Sequence, residues 1–119
     1  MKFKIGHIEL FVSDALKSKQ FYENVLGFEV VAVQGEQFVW VKAGEVEILL
    51  RQGSPPKPAA SYTQAGCGIV LYAEDLPVQL AVYRQRGLDL QPMPGEPDCH
   101  VFQDPDGHWF QLVDPTHQQ

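Results

Sequence analysis

Cysteine and histidine are the residue types best suited to binding a metal or attacking a substrate, and this sequence has few of them. Its 119 residues include two cysteines and four histidines. Cys67 and Cys99 form neither a Cys-x-x-Cys pair nor a zinc-binding spacing, and two cysteines cannot build a disulfide scaffold. We therefore expect both cysteines to be small, buried apolar residues.

Other reactive side chains alternate along two predicted strands. Near the N-terminus, His7, Glu9 and Phe11 fall on one face, opposite an apolar face formed by Ile8, Leu10 and Val12. In a later strand, Glu47 lies opposite a set of apolar residues (Val46, Ile48 and Leu50). A glutamate in mid-strand is easier to keep in a wet cavity than in a core. The alternation thus predicts that an imidazole, two carboxylates and an aromatic ring point away from the core.

An internal repeat positions these residues. The stretch Gly6–Asp14 matches Cys67–Asp75 at a constant offset of 61, with isoleucine, leucine, an aromatic residue, a small apolar residue and aspartate in register. Each copy predicts a strand followed by a helix. The first helix carries an apolar stripe of Leu16, Phe21, Tyr22, Val25 and Leu26, and the second one of Leu76, Leu80 and Tyr83.

Caps predict where both helices begin and end. Ser13 or Asp14 caps the first helix and Asp75 the second, while Gly27 and Gly87 occupy the positions where a glycine ends a helix.

Three short strands are predicted to complete each copy. They lie at about Glu29–Val33, Gln37–Lys42 and Glu45–Arg51, then at about Asp89–Met93, His100–Gln103 and His108–Asp114. The turn Asp104-Pro105-Asp106-Gly107 suits type I, with proline second and glycine fourth. We therefore predict an α+β fold of two tandem βαβββ modules that form curved mixed sheets with helices on the outside. One domain, 1–119, comprises module one (1–53), a linker (54–63) rich in proline, and module two (64–119).

Composition excludes several functional classes. The formal net charge is −6 and 45% of the residues are hydrophobic, so the chain can form one core but does not attract phosphate backbones. No apolar run approaches the length of a membrane span, and the N-terminus lacks a signal-peptide pattern. We expect a cytoplasmic protein that binds neither nucleic acid nor membrane.

This arrangement resembles the vicinal oxygen chelate superfamily, which includes glyoxalase I, bleomycin-resistance proteins, fosfomycin-resistance enzymes and extradiol dioxygenases. The segment Phe21-Tyr22-Glu23-Asn24-Val25-Leu26-Gly27-Phe28 is close to the family's "FY…LGF" pattern, and Asp104-Pro105-Asp106-Gly107 precedes the strand Trp109–Val113 as in the family. The resemblance covers essentially the whole chain. It implies a glyoxalase/bleomycin-resistance fold in which two modules enclose a cup, either within one chain or across a homodimer, and we expect the homodimer.

In metal-using members of the family, four residues on the first and last strands of the modules bind the ion. Carried onto this chain, the resemblance implies His7 for module one, Gly68 at its counterpart, and Gln111 on the last strand. The fourth position falls on Glu47 or Ile48 according to the anchor, and alternation favours Glu47.

One imidazole, one carboxylate and one amide are too few good ligands for tight binding of a divalent ion. We expect no cofactor, and a divalent metal at His7, Glu47 and Gln111 is the alternative. His100 is the better candidate to fill the gap at Gly68, because the pattern does not fix the face of its strand. His108 belongs to the core-facing side of its strand with Phe110 and Leu112.

The predicted ligand-binding residues line the cup implied by the family: His7, Glu9, Phe11, Trp40, Glu47, Tyr72, Trp109 and Gln111. On the third strand the cup residues are either Phe38 and Trp40 or their neighbours. Aromatic walls with carboxylates suit a flat, aromatic or cationic organic molecule. We expect a small-molecule-binding protein resembling bleomycin-resistance members. The alternative is a metal-dependent, glyoxalase-like lyase or isomerase, or a dioxygenase. No catalytic residue is assigned.

Overall fold

The structure is a computed structural model that describes residues 2–117, except for the side chain of His117. It consists of two compact units. Unit one is Met1–Pro56 and unit two is Lys57–Gln119. Each unit contains one four-stranded sheet with both parallel and antiparallel neighbours, and the helices are few. The predicted α+β fold with two βαβββ modules is therefore confirmed.

Unit one follows the predicted element order. Its elements are β1 (Ile8–Val12), α1 (Ala15–Gln20) with a π-helical segment (Phe21–Val25), β2 (Glu29–Gln34), β3 (Phe38–Ala43) and β4 (Val46–Gln52). The strand order is β1-β4-β3-β2, and β1 runs parallel to β4.

The first helix begins as predicted, but it changes its hydrogen-bond pattern before it ends. Asp14 is the N-cap, and its side chain accepts a hydrogen bond from the backbone N–H of Lys17. The N–H of Leu26 donates to the carbonyl of Phe21 at 3.1 Å, five residues back, which is the π-helical pattern. Gly27 follows with a φ of 79°, in the left-handed region that ends a helix without strain for glycine.

Unit two repeats this order after a short 3-10 turn (Tyr62–Gln64) at the end of the predicted linker. Its elements are β5 (Gly68–Tyr72), α2 (Leu76–Gln85), β6 (Gln91–Met93), β7 (Glu96–Gln103), β8 (Trp109–Val113) and a 3-10 turn (Pro115–His117). The strand order is β5-β8-β7-β6. β7 begins four residues before the predicted start at His100, because its first residues pair with β6 across a register shift.

One face of each sheet packs against the helix of its unit. In unit one the buried residues of this face are Leu10, Val12, Val39, Val41, Ile48 and Leu50. In unit two they include Phe102, Phe110 and Leu112, and the ring of Tyr83 on α2 meets Phe102 at a centroid distance of 6.4 Å. The opposite faces, called the open faces here, carry most of the predicted site residues. Among residues 2–117, no helix is long and apolar enough to cross a membrane.

Candidate functional site

The open face of unit one carries a chain of paired charges. Glu9 accepts a hydrogen bond from Arg51 Nε at 2.7 Å and lies 2.9 Å from His7 Nε2. These hydrogen bonds, the one from Arg51 above all, hold the pKa of the Glu9 carboxyl at about 2. The guanidinium of Arg51 also lies over the Phe38 ring, 5.0 Å from its centroid. Glu9 is therefore not the free carboxylate expected for a cationic ligand, because it already binds Arg51, a partner that the sequence pattern did not indicate.

Aromatic rings flank these charges. The rings of His7 and Trp40 meet edge to face at a centroid distance of 4.7 Å, and Trp40 Nε1 donates to Gln34 Oε1 at 3.2 Å. Val39 and Val41 are fully buried on the helix side, so Phe38 and Trp40 lie on the open face together with Lys42, the third residue of β3 on that side. Phe11, on the same face, is half exposed.

Glu47 and Ile48 lie on opposite faces of β4. Ile48 is 2% exposed and belongs to the helix-facing core, whereas Glu47 lies on the open face opposite Lys42. Within residues 2–117, no hydrogen bond or ion pair engages the Glu47 carboxylate. His7 and Glu47 immediately precede Ile8 and Ile48, which are paired in the parallel register. An imidazole and an unpaired carboxylate thus stand at the same end of this face.

Three predicted residues, Trp109, Gln111 and Tyr72, share the open face of unit two. Trp109 Nε1 donates to the carbonyl of Ala59 at 3.0 Å, which ties β8 to the segment before the 3-10 turn. Gln111 is 8% exposed, and its Nε2 lies 3.8 Å from the sulfur of Met93. Tyr72, also on this side, is 71% exposed and extends into solvent.

Tyr62 fills the space that a side chain at Gly68 would occupy. A Cβ added to Gly68 would lie 2.5 Å from the Tyr62 hydroxyl oxygen and 2.7 Å from its Cζ. The same ring meets Trp109 edge to face at a centroid distance of 6.3 Å. Sequence reasoning missed Tyr62, and no repeat signal could have found it, because the matching stretch of the first copy begins only at Gly6.

A cavity of about 450 Å³ opens beside these residues, which is within the range of small-molecule sites. Its lining includes Tyr62, Met93, Pro94, Glu96, Val101 and Trp109. Glu96 is the only charged residue of the lining. The cavity therefore combines mainly aromatic and apolar walls with the neutral polar side chains of Ser61, Thr63 and Gln91 and a single negative charge.

Histidines of unit two lie away from this cavity, which corrects one expectation. His100 pairs with Leu112 and shares the helix-facing side with Phe102, so it does not fill the gap at Gly68. Burial and the nearby Arg84 lower the pKa of His100. His108 Nδ1 lies 2.7 Å from Asp104 Oδ2, and this hydrogen bond raises the pKa of His108.

The cysteines also differ from expectation in part. Cys99 is buried, as predicted, whereas Cys67 is exposed because it lies just before β5, outside the sheet.

The donor set does not match a four-ligand metal site. In the part of the chain that the structure describes, no group of three or more histidine, cysteine, aspartate or glutamate side chains could hold a metal ion. In unit two, Gly68 has no side chain, Tyr62 fills the space beside it, and Gln111 offers only a neutral amide. His7 already contacts Glu9 in unit one. These residues do not fit the ion that metal-using members of the family bind.

Comparison with known proteins agrees with this fold. A family model described as the Glyoxalase/Bleomycin resistance protein/Dioxygenase superfamily matches residues 4–112. Catechol-2,3-dioxygenase of Bacillus subtilis (strain 168) is 41% identical over 61 residues, which are 45% of this chain and 21% of that protein, so the match spans about a fifth of the length of this relative.

Solved structures extend the likeness over nearly the full chain. UcmS2 is 30% identical, with a TM-score of 0.72 over 96% of this chain and 99% of that one. Lactoylglutathione lyase from Agrobacterium tumefaciens is 19% identical, with a TM-score of 0.68 over 93% of this chain and 92% of that one, and this likeness concerns the fold alone. The resemblance drawn from the sequence is confirmed: the chain belongs to the Glyoxalase/Bleomycin resistance protein/Dioxygenase superfamily.

Proposed function

We propose that the chain binds a flat aromatic organic molecule in the cavity of unit two, without a metal ion. The observation that carries this proposal is the cavity of about 450 Å³, whose walls are mainly aromatic and apolar and include Tyr62, the ring that fills the space beside Gly68. Trp109 supplies the largest ring for stacking, and its indole is held by the hydrogen bond to Ala59. The ring is thereby positioned before a ligand arrives.

Glu96 supports a ligand with a positive charge or an N–H donor. It is the only charged group in the lining, and no hydrogen bond or ion pair within residues 2–117 engages it. A carboxylate beside aromatic walls favours cationic aromatic molecules through Coulomb attraction and cation–π contact. Glu96 thus gives the cavity a preference for cationic ligands. Glu9 of unit one does not contribute to such a preference, because its carboxylate already binds Arg51.

Titration of tryptophan fluorescence with 4-aminoquinoline, a flat cation at neutral pH, tests the proposal. Trp40 and Trp109 are the two tryptophans, so in a Trp40→Phe variant the signal reports Trp109 alone. We expect saturable quenching. Glu96→Gln should weaken binding about three- to fivefold at low salt, because one exposed charge contributes modestly. Glu74→Gln, a matched change at an exposed carboxylate of unit two outside the cavity, serves as the control.

Two results would overturn the proposal. The first is quenching by 4-aminoquinoline that rises linearly without saturation. The second is equal binding of naphthalene-2-sulfonate, a flat anion of similar size, because a cavity whose only charge is negative should reject it.

The second candidate is a metal-dependent lyase or dioxygenase. It is favoured by the position of His7 and the unpaired Glu47 at one end of the unit-one face, and by the partial match to a protein named as a dioxygenase. Dialysis against Ni²⁺, Zn²⁺ or Mn²⁺ followed by elemental analysis separates the candidates. One ion retained per chain, and lost in His7→Ala, would favour this candidate over the metal-free binder.

A further inference from the structure

We propose that Tyr62 is the hydrogen-bond donor of the unit-two cavity and that it selects flat aromatic ligands carrying an acceptor, such as a ring carbonyl, on one edge. This inference rests on the proposed function, because it assigns a role within the same cavity. It narrows the ligand class from any flat aromatic molecule to one that has both a donor or positive group for Glu96 and an acceptor for Tyr62.

The first step of the argument is the place that Tyr62 occupies. The sequence repeat sets Gly68 in correspondence with His7, which carries the imidazole of the unit-one face. In unit two this correspondence leaves no side chain on the strand, and the Tyr62 phenol lies in the empty space. A polar group therefore stands at the equivalent place in both units, contributed by the strand region in one and by a preceding turn in the other.

The second step is the state of the hydroxyl. Tyr62 is half-buried, and its ring packs edge to face against Trp109. Within residues 2–117, no residue forms a hydrogen bond with the Tyr62 hydroxyl, and Tyr62 belongs to the lining of the cavity. A hydroxyl held in a fixed position with no protein partner is available to a bound molecule.

The third step is the direction of the hydrogen bond. Burial raises the pKa of the Tyr62 phenol, and the nearby thiols of Cys67 and Cys99 and the carboxylate of Glu96 add to this effect. The phenol thus stays protonated at neutral pH and can donate. Glu96 in the same lining can only accept. The Tyr62 donor and the Glu96 acceptor, in the lining of the same cavity, match a flat ring system with complementary groups, as in an aromatic lactam.

Two matched probes test this role. The compound 4-quinolone has a ring N–H and a carbonyl acceptor, whereas 4-aminoquinoline has donors and a positive charge but no carbonyl. Both are titrated into the Trp40→Phe protein and into the same protein carrying Tyr62→Phe, which removes the hydroxyl and keeps the ring. We expect Tyr62→Phe to weaken 4-quinolone about tenfold, corresponding to one lost hydrogen bond, and to change 4-aminoquinoline less than twofold.

The outcomes separate this inference from the proposed function. Equal affinities of 4-quinolone before and after Tyr62→Phe would overturn the role of Tyr62 while leaving the cavity as a binding site. A similar loss for both probes would also overturn it, since the effect would then come from the ring packing. If neither probe saturates the Trp109 signal, the proposed function fails and this inference fails with it.

Discussion

The open faces of the two units differ in chemistry although one sequence pattern underlies both. Unit one presents a surface of paired charges, in which Glu9 links His7 and Arg51. Unit two presents a cavity with aromatic and apolar walls beside Tyr62 and Trp109. The helix-facing sides are alike, because each must exclude water with a continuous apolar surface. The open faces are free of that demand, and so they can diverge.

A histidine–carboxylate pair in each unit shows the same divergence on a smaller scale. In unit one, the exposed pair of His7 and Glu9 is separated by 2.9 Å. In unit two, His108 lies 2.7 Å from Asp104, whose side chain has no exposed surface. Asp104 also accepts hydrogen bonds from the backbone N–H groups of Asp106 and His108, which fixes the turn between β7 and β8. The same residue types therefore serve a surface network in one unit and a structural turn in the other.

Replacing the carboxylate of each pair, Asp104 or Glu9, should give the largest difference in stability between the two units. We expect Asp104→Ala to lower the free energy of unfolding by about 3 kcal/mol, because it leaves two half-buried backbone N–H groups of the turn and the His108 ring without their acceptor. Glu9→Ala, at an exposed and solvent-screened pair, should leave the unfolding midpoint nearly unchanged. Urea denaturation followed by circular dichroism measures both. Equal destabilisation by the two substitutions would contradict the distinction between a surface pair and a structural pair.

Filling the space beside Gly68 should have an intermediate effect. Gly68→Ala forces the Tyr62 ring to move, because the added Cβ would lie 2.5 Å from its hydroxyl. We expect binding of 4-aminoquinoline to weaken about fivefold, measured by calorimetric titration. Gly66→Ala adds the same atom where nothing lies within 4 Å, and it should change nothing. In a Tyr62→Ala background, Gly68→Ala should have no further effect, and additive losses would show that the two residues act separately.

The smallest predicted effect is the pH dependence of the free energy of unfolding, and its sign is opposite in the two units. The hydrogen bond to Asp104 raises the pKa of His108 above the ordinary 6.5. The resulting stabilisation is complete below pH 6.5 and is lost as pH rises through the folded-state pKa. Glu9, with a pKa of about 2 against an ordinary 4.5, instead stabilises above pH 4.5 and loses this contribution as pH falls toward 2.

Urea titrations of wild type and His108→Gln between pH 5 and 9 test this prediction for unit two. The stability difference should shrink as pH rises, and it should stay below the effect of Asp104→Ala. A difference that grows with pH would show that the folded-state pKa of His108 is not raised.

Local rules predicted the scaffold well. Asp14 and Asp75 cap their helices, and Gly27 and Gly87 have the positive φ that ends them, since these features depend on a few adjacent residues. Strand alternation likewise placed Glu47 and Ile48 on opposite faces of β4.

Contacts between distant segments could not be read from the sequence. Arg51 meets Glu9 across 42 residues, and Tyr62 meets Gly68 from a turn that lies outside the stretch in which the repeat is recognised. The face of His100 follows from its pairing with Leu112 on β8, which no local pattern marks. The homodimer and the cytoplasmic location stay predictions.

The 3-10 turn that carries Tyr62 lies outside both strand ladders. Under the proposed function, substitutions in this turn would alter which molecules the cavity binds and would leave the strand register intact. Ligand preference and folding would then depend on different segments of the chain, so that one could change without the other.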